Sequence, residues 1–236
     1  EWAAFIDGIV DKLFFTVIKV SDQLNAFKVF ETLNARGVQL SSSDLLKNYL
    51  FSIVDETKPH ENEIEELEKL WSAIIGKLGT LKFEDYLRYF WNSSHKTVGK
   101  KNLFKTIKNE IKTKEQTFSL LRDLIETVDL YIALSEPNDD FWNEFKEVKD
   151  SLTELKMFQI KQTNSLLISG YKNLDKNEFI KLLKATVIIS FRYNIIGGLN
   201  PNEQEEVYNN LALKINKEKT FSTKDFEKIY VTDDNF

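Results

Sequence analysis

Asn34, Arg36, Gly37 and Lys47 are the residues of this chain whose types and order suit a phosphate. A guanidinium presents planar, paired donors to an oxyanion, and a lysine adds a compact charge. A glycine lets the backbone come close to a ligand. A helix starting near Ser42 would add unpaired amides and the positive end of its dipole. The same residues would also serve as helix caps and as a bridge between two domains. A second cationic group is denser: Lys96, Lys100, Lys101, Lys105, Lys108 and Lys112, with Lys114 beyond and Glu110 opposing. Lysines at this density can track a DNA backbone, each neutralised phosphate steepening the salt dependence of binding. They can equally coat a solvated helix face. No catalytic or metal-binding set stands out by spacing. His60 and His95 lie apart, in segments that read as exposed loops, and no HExxH-type arrangement is present. Asp139-Asp140 and Asp233-Asp234 read as helix starts or loop charge. Cysteine is absent, which excludes disulfides, thiolate metal sites and thiol catalysis.

The elements that would position these groups are mostly helices. Residues 14–20, FFTVIKV, are the one convincing strand, rich in aromatic and β-branched side chains. Ala26, Phe27, Phe30 and Leu33 recur at helical spacing and predict a helix over residues 22–36, ended by Gly37. Ser41 and Asp44 have approximate capping-box spacing, and Leu45, Leu46, Tyr49 and Leu50 form the apolar stripe of the next helix. Further helices are predicted over residues 61–77, 83–91, 101–111, 114–135, 140–154, 157–174, 177–196, 203–215 and 223–230. In the third of these, Phe104 and Ile107 mark the buried side. Arg192 sits between Phe191 and Tyr193 in the most apolar helix, so it needs a carboxylate or carbonyl partner and reads as a structural anchor. The fold class is therefore mainly α: a multi-helix array with one short N-terminal β-strand.

The stretch FETLNARGVQLSSSDLLKN, within residues 22–50, resembles the end of the N-terminal domain of GmrSD-type, modification-dependent restriction endonucleases. Weaker likenesses lie at QTNSLLISGY, ending at Tyr171, at IISFRYNIIGGLN over residues 188–200, and at the closing VTDDNF. The resemblance implies a ParB- or sulfiredoxin-like nucleotide-dependent domain, a helical region, and an HNH nuclease domain, in a protein that restricts phage DNA with modified cytosines. The chain departs from that pattern. The family's Asp-Gly-Gln-Gln-Arg type motif is not found, since Asp7-Gly8 is followed by Ile9 and Val10, and two histidines cannot furnish the nuclease. It reads as an internal piece: residues 1–55 the C-terminal part of the N-terminal domain, residues 56–236 the helical middle. On this reading Asn34, Arg36, Gly37 and Lys47 are part of a nucleotide site. The chain alone is non-catalytic and holds no cofactor, while nucleotide and divalent metal belong to the intact protein. Its partners are the flanking modules and DNA. The alternative is a stand-alone helical protein–protein interaction module, or a degenerate family member with no nucleic-acid role.

Composition fits either reading. With 236 residues, 42% hydrophobic and 29% charged, the chain can bury a substantial core. Three Pro and eight Gly favour long helices, and eighteen Phe favour aromatic packing. A net charge of −5 argues against a uniformly basic nucleic-acid coat, but not against a local basic surface. No run of about 18 apolar residues suggests a membrane span, and a cytoplasmic location is expected.

Overall fold

The computed structural model describes residues 42–56 and 61–232. The expected strand over residues 14–20, the helix over residues 22–36 with Gly37, and Ser41 lie outside the described residues, as do His60 and Asp233-Asp234. Within them the fold is mainly α. Its helices are α1 (Ser42–Glu56), α2 (Glu61–Leu78), α3 (Phe83–Asn92), α4 (Lys100–Glu110), α5 (Lys114–Ser135), α6 (Lys146–Met157), α7 (Asn164–Asn173), α8 (Lys176–Ser190) and α9 (Pro201–Glu218). No strand occurs among the described residues.

Helices α5, α8 and α9 form where periodic apolar residues meet a side-chain cap. Thr113 and Gln116 make a reciprocal capping box at the start of α5. Asp175 accepts the Glu178 N–H at 2.9 Å before α8. Asn200 accepts the Asn202 N–H at 3.0 Å, with Pro201 in the first turn of α9. Along α1 the buried apolar positions are Leu46, Tyr49, Leu50, Ile53 and Val54, the spacing of one helix face. α5 packs along α2, α9 along α7, and α1 against α2, α4 and α5.

Three predicted helices are altered by tertiary packing. The stretch expected as one helix over residues 140–154 splits into a 3-10 turn, Asp140–Trp142, and α6. Trp142 causes the break. It is fully buried, its indole N–H donates to the Ala133 carbonyl at 2.7 Å, and its ring meets Phe145, Tyr171 and Phe179. Asp139 caps this turn by accepting the Phe141 N–H at 2.8 Å, as its helix-start reading anticipates. The segment expected as a helix over residues 157–174 contains a turn instead. Gln159 takes a left-handed φ of 57°, and the Ile160 N–H returns to the Leu155 carbonyl at 2.9 Å. That closure satisfies the last carbonyls of α6, so α7 starts only at Asn164. The third expected helix ends as α at Ser190, and Phe191–Ile196 continues as a π turn closed before Gly198, whose φ is 58°. Residues 223–230, expected as a short helix, form a 3-10 turn, Thr223–Ile229.

Two cores result, with α7 and α8 between them. Leu167, Ile168 and Leu183 belong to the larger, which holds most of α1–α6. Leu166 and Leu182 belong to the smaller, with Tyr208, Ile215 and Phe226. The two helices approach closely at Gly170, where an added Cβ would collide with the end of the buried Leu182 side chain and touch Phe179. Gly170→Ala should therefore lower stability by about 1 kcal/mol, overpacking outweighing the gain in helix propensity. A urea titration reads this directly, and an unchanged or higher midpoint would show that Leu182 moves aside freely.

Candidate functional site

The centre of the lysine segment forms α4, with Lys96 before it and Lys112 after it, and the helical periodicity sorts the charges between. Leu103 and Ile107 form its buried side, 3% and 0% exposed, while Phe104, expected with Ile107, is half-buried beside them. Lys101, Lys105 and Lys108 fall at i, i+4 and i+7 and so share a face. They are not equivalent. The Lys108 ammonium lies 5.4 Å from the Tyr49 ring centre and 5.9 Å from that of Phe104, in cation–π range. Lys100 pairs with Asp85 on α3. Lys96, Lys101, Lys105 and Lys112 are exposed and form no ion pair with other described residues. These four are the cations of the segment left without an ion pair among the described residues.

The α4 helix is held at its C-terminus by α1. The Tyr49 hydroxyl lies 3.0 Å from the Lys108 carbonyl and 2.6 Å from that of Ile111, donating into a pair of acceptors that a helix end leaves unsatisfied. Lys47, the one described member of the expected phosphate group, stands on the same helix. Its ammonium is 3.6 Å from the Glu68 carboxylate and 5.2 Å from the Phe51 ring centre. Asn34, Arg36 and Gly37 lie outside the described residues.

Beyond α4 a cavity of about 340 Å³ opens where α3, α5, α7 and α9 converge. Asp123, Lys172, Asn173 and Asn216 furnish polar groups, and Trp91 and His95 an aromatic wall. His95 lies in the loop after α3, as expected, but is half-buried rather than exposed. Its ring stacks on Trp91 at 4.0 Å, with Nδ1 2.9 Å from the Ser94 hydroxyl and Nε2 3.9 Å from the Glu110 carboxylate. The signal was the i, i+4 spacing of Trp91 and His95, since the chain keeps its helical sense past Asn92: the His95 N–H donates to the Trp91 carbonyl at 2.9 Å.

The two weaker likenesses meet in space. The Gln162 amide donates to Asn194 at 3.2 Å and to Gln204 at 3.0 Å, and Asn194 donates to Gln204 at 2.6 Å and to the Ser190 carbonyl at 2.9 Å. This amide triad joins the start of α7 to the π turn and α9. Arg192 leaves the same turn, and its Nε donates to the Val231 carbonyl at 2.7 Å, the carbonyl partner that its apolar setting demands.

Among the described residues no group of three or more His, Asp or Glu could hold a metal ion, and no helix is long and apolar enough to cross a membrane. Residues 2–51 match the family described as GmrSD restriction endonuclease, N-terminal domain, which accounts for 50 of the 236 residues. No curated protein matches the chain.

Proposed function

We propose that this chain is the non-catalytic helical portion of a GmrSD-like anti-phage restriction protein. It links a nucleotide-dependent module, of which residues 1–55 are the end, to a nuclease module, and residues 56–236 contact DNA through α4. One observation carries the reading. α1 begins inside the matched residues 2–51, is buried in the larger core, and holds the lysine helix by the Tyr49 hydroxyl. A rigid helix shared by two modules passes a displacement of one to the other, provided ligand favours one of two packings. Nucleotide and divalent metal would act in the flanking modules, with Asn34, Arg36, Gly37 and Lys47 supplying phosphate contacts from this side.

The DNA contact is tested by gel retardation of duplex DNA at low salt. Binding should weaken steeply with salt. Lys101→Ala, Lys105→Ala and Lys112→Ala combined should flatten the slope of log K against log salt by about 3. Lys100→Ala and Lys108→Ala should do less, because Asp85 and the aromatic rings already engage those ammonium groups. No retardation at low salt, or a slope unmoved by the triple substitution, would remove DNA from the proposal. The second reading, a protein–protein interaction module, is favoured by a separate observation: a patch of exposed apolar side chains on the far side of α8.

A further inference from the structure

Seven large apolar residues are exposed among those described, and four of them line two adjoining grooves. The first groove, about 410 Å³, runs between the end of α6 and the π turn and includes Met157, Phe158, Ile188 and Ile196. The second, about 570 Å³, lies between α8 and the last 3-10 turn and includes Ile188, Ile189, Phe226 and Tyr230. Ile188 is the ridge common to both. Met157 is 65% exposed, Ile188 58%, Tyr230 54% and Ile196 47%. Ile195 and Leu199, also exposed, lie on or just past the same π turn. Together these side chains offer on the order of 500 Å² of apolar surface, at the upper end of what a monomer leaves in water.

We infer that this face is a two-fold interface with a second copy of the chain. Three features select that occupant. The exposed apolar surface approaches the roughly 800 Å² per partner that a stable interface buries, and the groove walls supply more. Each groove carries one acid and one base, Glu154 with Arg192 in the first and Lys224 with Glu227 in the second. A nearly neutral, mixed rim suits self-pairing, whereas DNA or an acidic membrane surface would call for a one-signed positive rim. Ile188 is also common to both grooves, so a two-fold axis along it would set the first groove of one copy against the second groove of the other, the reciprocity that an isologous contact requires.

The test is sedimentation equilibrium of the 236-residue chain from about 1 to 500 µM, at low salt and at about 0.5 M salt. The expected species has twice the mass of the 27.6 kDa chain and persists at high salt, where DNA retardation by α4 is lost, so the two proposals fail independently. Ile188→Asp and, separately, Met157→Asp should each raise the dimer dissociation constant about 30-fold or more. Both positions are solvent-exposed, so helical circular dichroism should be unchanged. A monomer at every concentration would overturn the proposal, leaving the face to a different protein. So would a dimer indifferent to both substitutions.

Discussion

The melting temperature should fall steeply above about pH 10, the ordinary tyrosine pKa, because the fold keeps three phenols neutral that the unfolded chain would ionise. Tyr86, Tyr131 and Tyr208 are 0%, 5% and 0% exposed. Burial pushes all three hydroxyls well above their usual range. Asp129 adds to the shift at Tyr86, and the Tyr89 ring and Asp85 add to it at Tyr131. At Tyr208 a hydrogen bond with Ser190 works weakly the other way. The sign follows from linkage. The folded pKa values are raised, so the stabilisation is complete below pH 10 and is lost as the unfolded state releases protons that the folded state retains. Each tyrosine contributes about 1.4 kcal/mol per pH unit, and three give about 4 kcal/mol. For a domain of this size that is a drop on the order of 10 °C per pH unit. Melts by circular dichroism between pH 8 and 11, followed in parallel by phenolate absorbance, decide it. A flat melting temperature over pH 9 to 11 contradicts the assignment. Tyr131→Phe should lower the slope by about 1.4 kcal/mol per pH unit.

Breaking the Arg88–Glu205 pair should cost about 3–5 kcal/mol from either side, far more than removing both charges together. Arg88 on α3 and Glu205 on α9 are in direct contact, with side chains only 12% and 20% exposed. The guanidinium also lies 4.4 Å from the Tyr89 ring centre, and its Nε has no hydrogen-bond partner among the described residues. Burial opposes its charge, but the Glu205 hydrogen bond and carboxylate outweigh that, and its pKa stands above the ordinary value. Arg88→Ala leaves a carboxylate in a half-dry setting, and Glu205→Ala leaves a guanidinium. In Arg88→Met with Glu205→Leu neither charge remains, and the loss should be about 1 kcal/mol or less. The pair joins a helix of the larger core to a helix of the smaller one. Losing either partner should therefore loosen α9 first, which hydrogen exchange of the α9 amides would register. Single substitutions that each cost under about 1 kcal/mol would place the pair with ordinary surface ion pairs.

Much of the helical framework was readable because it rests on local physics. The apolar stripe of α1 reflects periodicity, and the limits of α5 periodicity joined to a cap, whereas α9, expected from residue 203, already starts at Pro201 behind the Asn200 cap. Where expectation and structure part, a distant residue had intervened. Residues 140–154 carry an unbroken helical pattern, yet the indole of Trp142 reaches the Ala133 carbonyl and bends the chain. Gln159 takes a left-handed conformation that sequence rules reserve for glycine, so the end of α6 was hidden. The His95 stack was hidden by its polar surroundings, because a loop composition says nothing about the Trp91 ring that a helical continuation brings beneath it.

Composition and spacing alone determined that this protein is a mainly helical chain without thiol chemistry, carrying a lysine-rich helix and a stretch similar to one restriction family. Those properties belong to single residues or to neighbours within a few turns, and helical periodicity transmits them directly. Tertiary structure alone decided which lysines of the segment gain a partner, because Asp85 and Tyr49 arrive from other helices. It also brought Gln162, Asn194 and Gln204 into one triad, and left Met157, Ile188, Ile196 and Tyr230 uncovered together. An apolar residue looks the same in sequence whether it is buried or bare, and only the packing of α6, α8 and the last turn distinguishes the two.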